Sequence, residues 1–115
     1  MMNYAASIAA LGDDETLWLE IAELFQAGRA EHVAKLQAAL DREDSVATAR
    51  ELHKLRGSVA FFCDEEVTET LQESETLSMR GALNAQARAR LVTALEAFCQ
   101  ALDAQLKFLQ HANSV

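Results

Sequence analysis

Apolar residues recur along most of the chain at steps of three and four, the period of a helix with one buried face. The clearest run lies in the middle of the chain, from about residue 45 to residue 62. Its apolar positions are Ala49, Leu52, Leu55, Val59 and Phe62. We predict an amphipathic helix over this segment, with Asp44 or Ser45 as its N-cap.

Four further segments show the same period and predict helices over about residues 3–11, 14–40, 64–80 and 84–110. Asp13 or Asp14, Asp64 and Asn84 are suitable N-caps. The links are short, so consecutive helices are expected to be antiparallel neighbours. The fold class is therefore all-α: an antiparallel up-down four-helix bundle with a short extra N-terminal helix, forming a single domain over residues 1–115.

The inward positions of the outer helices follow from the same periodicity. The long second segment, which could bend at Gly28, has an apolar stripe of Leu17, Ile21, Leu24, Phe25, Val33, Leu36 and Leu40. The fourth segment points Val67, Leu71, Ser74 and Leu77 inward. The last segment has Leu91, Leu95, Phe98, Leu102, Leu106 and Leu109. Residues 111–115 are expected to fray.

Composition supports this picture and narrows the function. Half of the residues are hydrophobic, proline is absent, and glycine occurs four times, which suits helices with short connections. The net charge of −8 disfavours nucleic-acid binding and docking on an anionic membrane. A basic group of Arg50, Lys54 and Arg56 is a local exception that can attract an acidic partner.

Nothing in the sequence indicates a metal site, a membrane span or a targeting signal. Cys63 and Cys99 are isolated, so we expect two reduced thiols and no bound zinc. The N-terminus lacks the basic region of a signal peptide, and no apolar run approaches the ~20 residues needed to cross a bilayer. We expect a cytoplasmic protein.

His53 is the candidate for chemistry. It lies roughly 120° from the centre of the apolar stripe of its helix, which directs the ring toward solvent or a partner. Gly57 follows one turn later, although glycine inside a helix costs about 1 kcal/mol relative to alanine. We infer that Gly57 clears space beside the ring. A lone histidine on a helix is more often a structural or incidental surface residue, and that interpretation stays open.

The segment 53–58, HKLRGS, resembles the H-x-L-[KR]-G-[SA] signature of histidine phosphotransfer domains of two-component phosphorelays. The similarity extends in register over about residues 10–81, where Val67, Glu75 and Gly81 fit the family pattern. Two positions depart from it: Cys63 stands where the family usually has glycine, and Ser74 where it usually has leucine.

The resemblance implies roles for individual residues. His53 would be the phosphorylated residue, Arg56 would contact the phosphoryl oxygens, and Glu75 would orient the imidazole through its other nitrogen. A further set would bind the partner: Arg50, Lys54, Gly57 and Phe61. Phe61 is assigned with least basis, because it lies beside the apolar stripe and could pack inward.

The implied function is a phosphoryl shuttle between receiver-domain aspartates, without a kinase or ATP-binding domain in this chain. The partners would be receiver domains of hybrid sensor kinases and response regulators in a bacterial phosphorelay. The chain would act as a monomer with no cofactor of its own, and Mg²⁺ would come from the receiver. The alternative is a non-catalytic helical module that docks on a kinase or regulator without being phosphorylated.

Overall fold

Five helices make up the fold in a computed structural model that describes residues 1–114. They are α1 (Tyr4–Ala9), α2 (Glu15–Asp41), α3 (Ser45–Ala60), α4 (Glu65–Met79) and α5 (Ala85–Asn113). No strand occurs among the described residues. The all-α class and the short extra N-terminal helix are as predicted. Helix α5 ends at Asn113, three residues past its predicted end. Val115, the last residue of the tail that was expected to fray, lies outside the described residues.

Side-chain caps start the four long helices. A carboxylate or amide oxygen of Asp14, Asp44, Asp64 or Asn84 accepts a hydrogen bond from the backbone N–H three residues later. Each cap satisfies one of the N–H groups that a helix start leaves without a partner. These polar positions therefore set the register in which each helix begins.

The four long helices form a ring. Helix α2 packs on α3, α3 on α4, α4 on α5, and α5 returns to α2. The bundle is elongated, with extents of 49 × 22 × 19 Å. Its core is made of the buried faces of all four helices, and the largest fully buried side chains are Trp18, Phe62 and Phe98.

An aromatic cluster joins α1 to the bundle. The ring of Phe62 packs against Trp18, Phe25 and Phe98, with centroids 5.5–5.9 Å apart. The indole Nε1 of Trp18 donates a 2.8 Å hydrogen bond to the hydroxyl of Ser7 on α1. Because that hydrogen bond satisfies the only polar atom of the indole, Trp18 can be buried completely.

The predicted inward face of α2 is partly wrong. Leu17, Leu24 and Val33 are exposed, Leu24 by 74%. The buried residues of α2 are Trp18, Ala22, Leu36 and Ala39, so Leu36 is buried as predicted, while Phe25 and Leu40 are partly buried against the core. At the start of α2 the buried residue is Trp18 rather than its neighbour Leu17, because burying the larger aromatic side chain removes more apolar area from water. Helix α2 continues through Gly28.

The link between α3 and α4 contains a residue other than glycine in the backbone conformation that glycine favours. Cys63 has a φ of +55°, in the left-handed region that favours glycine. The departure at residue 63 therefore changes the side chain and leaves the left-handed conformation in place. Ser74, the other departure, is buried on the inward face of α4.

Candidate functional site

His53 lies on the flank of α3 that faces away from the core. Leu52, Leu55 and Val59 are buried and hold the opposite side of the helix against the bundle. The His53 side chain is 66% exposed. A ring on a rigid, buried helix keeps its direction while one edge stays open to a partner.

The ring of His53 contacts one acid and one base. Its Nδ1 lies 3.1 Å from Oε1 of Glu75 on α4 and 3.1 Å from an Nη2 of Arg56 on its own helix. The same Nη2 lies 3.2 Å from Oε2 of Glu75. The Glu75 side chain is only 16% exposed, so these three groups form a compact triangle in which a half-buried carboxylate is paired with a cation.

This arrangement leaves the second ring nitrogen available. The other imidazole nitrogen, Nε2, has no hydrogen-bond partner among the described residues. In the neutral ring with its proton on Nδ1, that proton is donated to Glu75 and Nε2 carries a free electron pair. The site can therefore present the nucleophilic Nε2 outward, while the contact of Nδ1 with Glu75 fixes the orientation of the ring.

Positive charge borders the ring on the outward side of α3. The Nζ of Lys54 lies 3.5 Å from Glu51, one turn earlier on the same helix. Arg50 makes no ion pair within the described part of the chain and lines the groove beside His53. Both side chains are exposed, so their charges contribute a local field rather than a fixed contact.

A shallow, mostly apolar groove runs from His53 toward the start of α3. Val46 and Met79 border it and are 70% and 75% exposed, and Ala49 lies between Val46 and His53. Val46 and Met79 were not among the site residues predicted from the sequence. Their spacing could have shown them, because Val46 lies two turns before His53 and Met79 one turn after Glu75.

The surface beside Gly57 is open. Apart from its chain neighbours and the backbone of its own helix, a methyl group built on Gly57 would meet no atom of the described residues within 4 Å, so the absence of a side chain there is not required by packing within the bundle. Phe61 is not part of the groove. It is half-buried and packs edge-to-face on Phe62 with ring centroids 5.0 Å apart, and its partner-binding role stays a prediction.

Outside this site, the described residues show neither a membrane-spanning helix nor a group of side chains that could hold a metal ion. No helix in the described part is both long and apolar enough to cross a membrane. Among residues 1–114, no three His, Cys, Asp or Glu side chains converge in a way that could hold a metal ion. Cys63 and Cys99 are both free thiols.

Comparison with protein families identifies this part of the chain. The family model described as Hpt domain matches residues 20–105, a range that includes His53, Arg56, Glu75 and the apolar groove. Neither the curated proteins nor the solved structures provide a significant match.

Proposed function

The chain belongs to the Hpt domain family, whose general role is histidine phosphotransfer in phosphorelays, and we propose that His53 is its phosphoryl carrier. In this proposal the chain accepts a phosphoryl group from the aspartate of one receiver domain and passes it reversibly to the aspartate of another. The observation that carries the proposal is the exposed His53 ring, whose Nδ1 contacts Glu75 while Nε2 is free.

The chemical step needs no base. The electron pair on Nε2 attacks the phosphorus of the receiver's acyl phosphate, the N–P bond forms, and the P–O bond to aspartate breaks. The leaving carboxylate takes the bonding electrons. The ring keeps its Nδ1 proton and takes on a positive charge next to the negatively charged phosphoryl group, and the Glu75 carboxylate faces the ring at 3.1 Å from Nδ1. The same carboxylate thus orients the nucleophile and stabilises the charge that develops.

Cations on α3 complement the transferring group. Phosphoryl transfer depends on alignment and charge neutralisation more than on covalent help. Arg56 is the nearest cation to the ring, and Arg50 and Lys54 add to the field around it. We place the Mg²⁺ on the receiver rather than on this chain, so the bundle acts only when a receiver docks.

The receiver would dock on α3 and α4 around the ring. Hpt domains interact with receiver domains of two-component systems. We assign to that contact the apolar groove of Val46, Ala49 and Met79 on one side of His53 and the open surface at Gly57 on the other. Apolar side chains exposed next to a reactive group, rimmed by charge, are typical of a docking surface.

Transfer of labelled phosphate tests the proposal. A receiver domain labelled with ³²P on its aspartate is mixed with the wild-type chain and with His53→Gln, His32→Gln and His111→Gln variants. We expect label on the wild type and on the His32 and His111 variants, and none on His53→Gln. Circular dichroism checks that His53→Gln keeps its helices.

The competing hypothesis is a module that binds without being phosphorylated. It predicts that receivers bind the wild-type chain, measured by calorimetry, while no label moves. That result across a panel of receivers would remove the phosphotransfer role from this chain.

A further inference from the structure

Two groups compete for one nitrogen of His53. Both Oε1 of Glu75 and Nη2 of Arg56 lie 3.1 Å from Nδ1. The carboxylate can only accept a hydrogen bond, and the guanidinium can only donate one. A neutral imidazole nitrogen is either a donor or an acceptor, so Nδ1 can satisfy only one of these neighbours at a time.

The outcome of that competition decides where the nucleophile is. When Nδ1 carries the proton and donates to Glu75, the free electron pair is on Nε2, the outward nitrogen. When Nδ1 accepts from Arg56, the proton is on Nε2, and that nitrogen cannot attack phosphorus. Glu75 therefore favours the reactive tautomer of His53, and Arg56 favours the unreactive one.

We propose that Arg56 holds part of the free protein in the unreactive tautomer, and that drawing Arg56 toward an incoming phosphoryl group releases the reactive one. This inference rests on the proposed function, because it assumes that His53 is the carrier. It makes Arg56 a positioning residue with two successive partners: the ring before transfer and the phosphoryl oxygens during it. When the anionic phosphoryl group arrives, Arg56 binds it and leaves Nδ1. The ring of His53 can then carry its proton on Nδ1, so that Nε2 has the free electron pair.

The contacts of Arg56 allow that exchange. Both of its polar contacts in the described structure run through the single atom Nη2. Its Nε is buried and has no hydrogen-bond partner among residues 1–114, and the side chain is 29% exposed. A guanidinium that is hydrogen-bonded through only one of its three nitrogens still has donors for a second partner. A guanidinium in a bidentate pair would have to break both hydrogen bonds before it could bind a new partner.

Ring nitrogen NMR tests the proposal on the free protein. The ¹⁵N shifts of His53, recorded at alkaline pH well above the ordinary pKa of an imidazole, report the ratio of the two tautomers. In Arg56→Met, which keeps an apolar stem and removes the donors, we expect the ratio of Nδ1–H to Nε2–H to rise by about threefold or more. In Glu75→Ala it should fall. The His53 signals are assigned by comparison with His53→Gln.

A matched control separates contact from general charge. Lys54→Met removes a neighbouring cation that does not touch the ring, and it should leave the ratio unchanged. An unchanged ratio in Arg56→Met would overturn the proposal. So would an equal shift in Lys54→Met, because the effect would then come from the overall field and not from the hydrogen bond of Arg56.

A docked receiver tests the release. A receiver that passes label to His53 is loaded with beryllofluoride, which mimics the acyl phosphate, and is added to the ¹⁵N-labelled chain. We expect the Nδ1–H fraction to rise in the wild type and to stay constant in Arg56→Met, where it is already high. A wild-type ratio that does not change on docking would refute the release.

The carrier role of His53 and the tautomer role of Arg56 are contradicted by different measurements. If no receiver passes label, the proposed function fails, but the tautomer ratios of the free protein are still measured and still decide whether Arg56 competes with Glu75. If label passes and Arg56→Met leaves the ratio unchanged, the carrier role stands and the role of Arg56 in setting the tautomer falls.

Discussion

Glu75 of α4 reaches across to His53 of α3 and places its Oε1 3.1 Å from Nδ1 of the ring. The two residues are 22 positions apart in the chain, and only the antiparallel packing of the two helices joins them. The Glu75 carboxylate is half-buried and the ring of His53 is exposed. The carboxylate therefore holds the ring at Nδ1, while the opposite edge of the ring stays open to a partner.

Removing the carboxylate should slow transfer without unfolding the bundle. In Glu75→Ala the ring loses the acceptor that orients it, and a hydrogen bond to a charged group is worth about 1.5–3 kcal/mol when well formed. Since the ring is largely exposed, we expect a smaller effect, on the order of tenfold in the initial rate of label transfer. Glu73→Ala on the same helix removes an exposed carboxylate that pairs with Arg90 and should leave the rate unchanged.

Replacing Gly57 should not destabilise the folded protein. Gly57→Ala adds a methyl group in open space and should raise the free energy of unfolding by up to about 1 kcal/mol, because alanine is the better helix former. Gly57→Gln should also fold but should weaken receiver binding, measured by calorimetry.

Gly28 provides the control for that comparison. A methyl group there would lie in ordinary contact with His32, 3.7 Å away, and Gly28 is on α2, away from the groove. Gly28→Ala should stabilise the helix without changing receiver affinity. Equal receiver affinity in Gly57→Gln and the wild type would contradict the docking role of this surface.

The apolar groove should contribute to affinity more than to stability. The double variant Val46→Ser, Met79→Ser replaces two exposed side chains, so the free energy of unfolding should change by no more than about 1 kcal/mol in total. Receiver affinity should fall about tenfold if both side chains are covered on docking. Leu24→Ser, which alters an equally exposed residue on α2, should have no effect on affinity, and a loss there would indicate a different interface.

Cys63 imposes a backbone cost that glycine would relieve. Its φ of +55° is unfavourable for a residue with a Cβ by roughly 1–2 kcal/mol. Glycine would gain entropy in the unfolded chain and lose the contacts of the thiol, so we expect Cys63→Gly to raise the free energy of unfolding by about 0.5–1 kcal/mol. Urea denaturation measures this, and a lower midpoint at an unchanged slope would show that the Cys63 side chain matters more than its conformation.

The ion pair between α2 and α5 should make stability depend on acid pH. Partial burial alone would raise the pKa of Asp103, but hydrogen bonds from Arg29 and Gln26 outweigh it, and the pKa lies below its ordinary value. A carboxyl whose pKa is lowered on folding stabilises the protein above its unfolded pKa, about 4. That stability is lost as the pH falls through the lower, folded value.

Asp103→Asn tests this dependence. The variant should be less stable than the wild type at neutral pH, and the difference between the two should shrink as the pH is lowered from about 4. Thermal unfolding at a series of pH values follows both proteins. A difference that stays constant over this range would show that the ionisation of Asp103 does not contribute.

Much of this protein is determined locally, by neighbours along the chain. The three-and-four spacing of apolar residues, the capping side chains at Asp14, Asp44, Asp64 and Asn84, and the absence of proline are enough to predict five helices. Each of these signals acts within one or two helical turns, so none depends on the packing of the bundle. The segment 53–58 carries the signature part of the family resemblance, and the register of the residues after it extends the resemblance to Glu75, with the expectation that His53 and Glu75 act together.

Only the tertiary structure decided how the helices are rotated and aligned against each other. Periodicity placed Leu17 on the inward face of α2, but the structure buries its neighbour Trp18, whose indole donates a hydrogen bond to Ser7 of α1. The packing of α4 against α3 brought Met79 next to Val46, a relationship that neither helix shows alone. It also placed Arg56 and Glu75 against the same nitrogen of His53. The rotation and offset of two packed helices result from the summed contacts of many side chains on both helices. The pattern along one helix therefore cannot predict them.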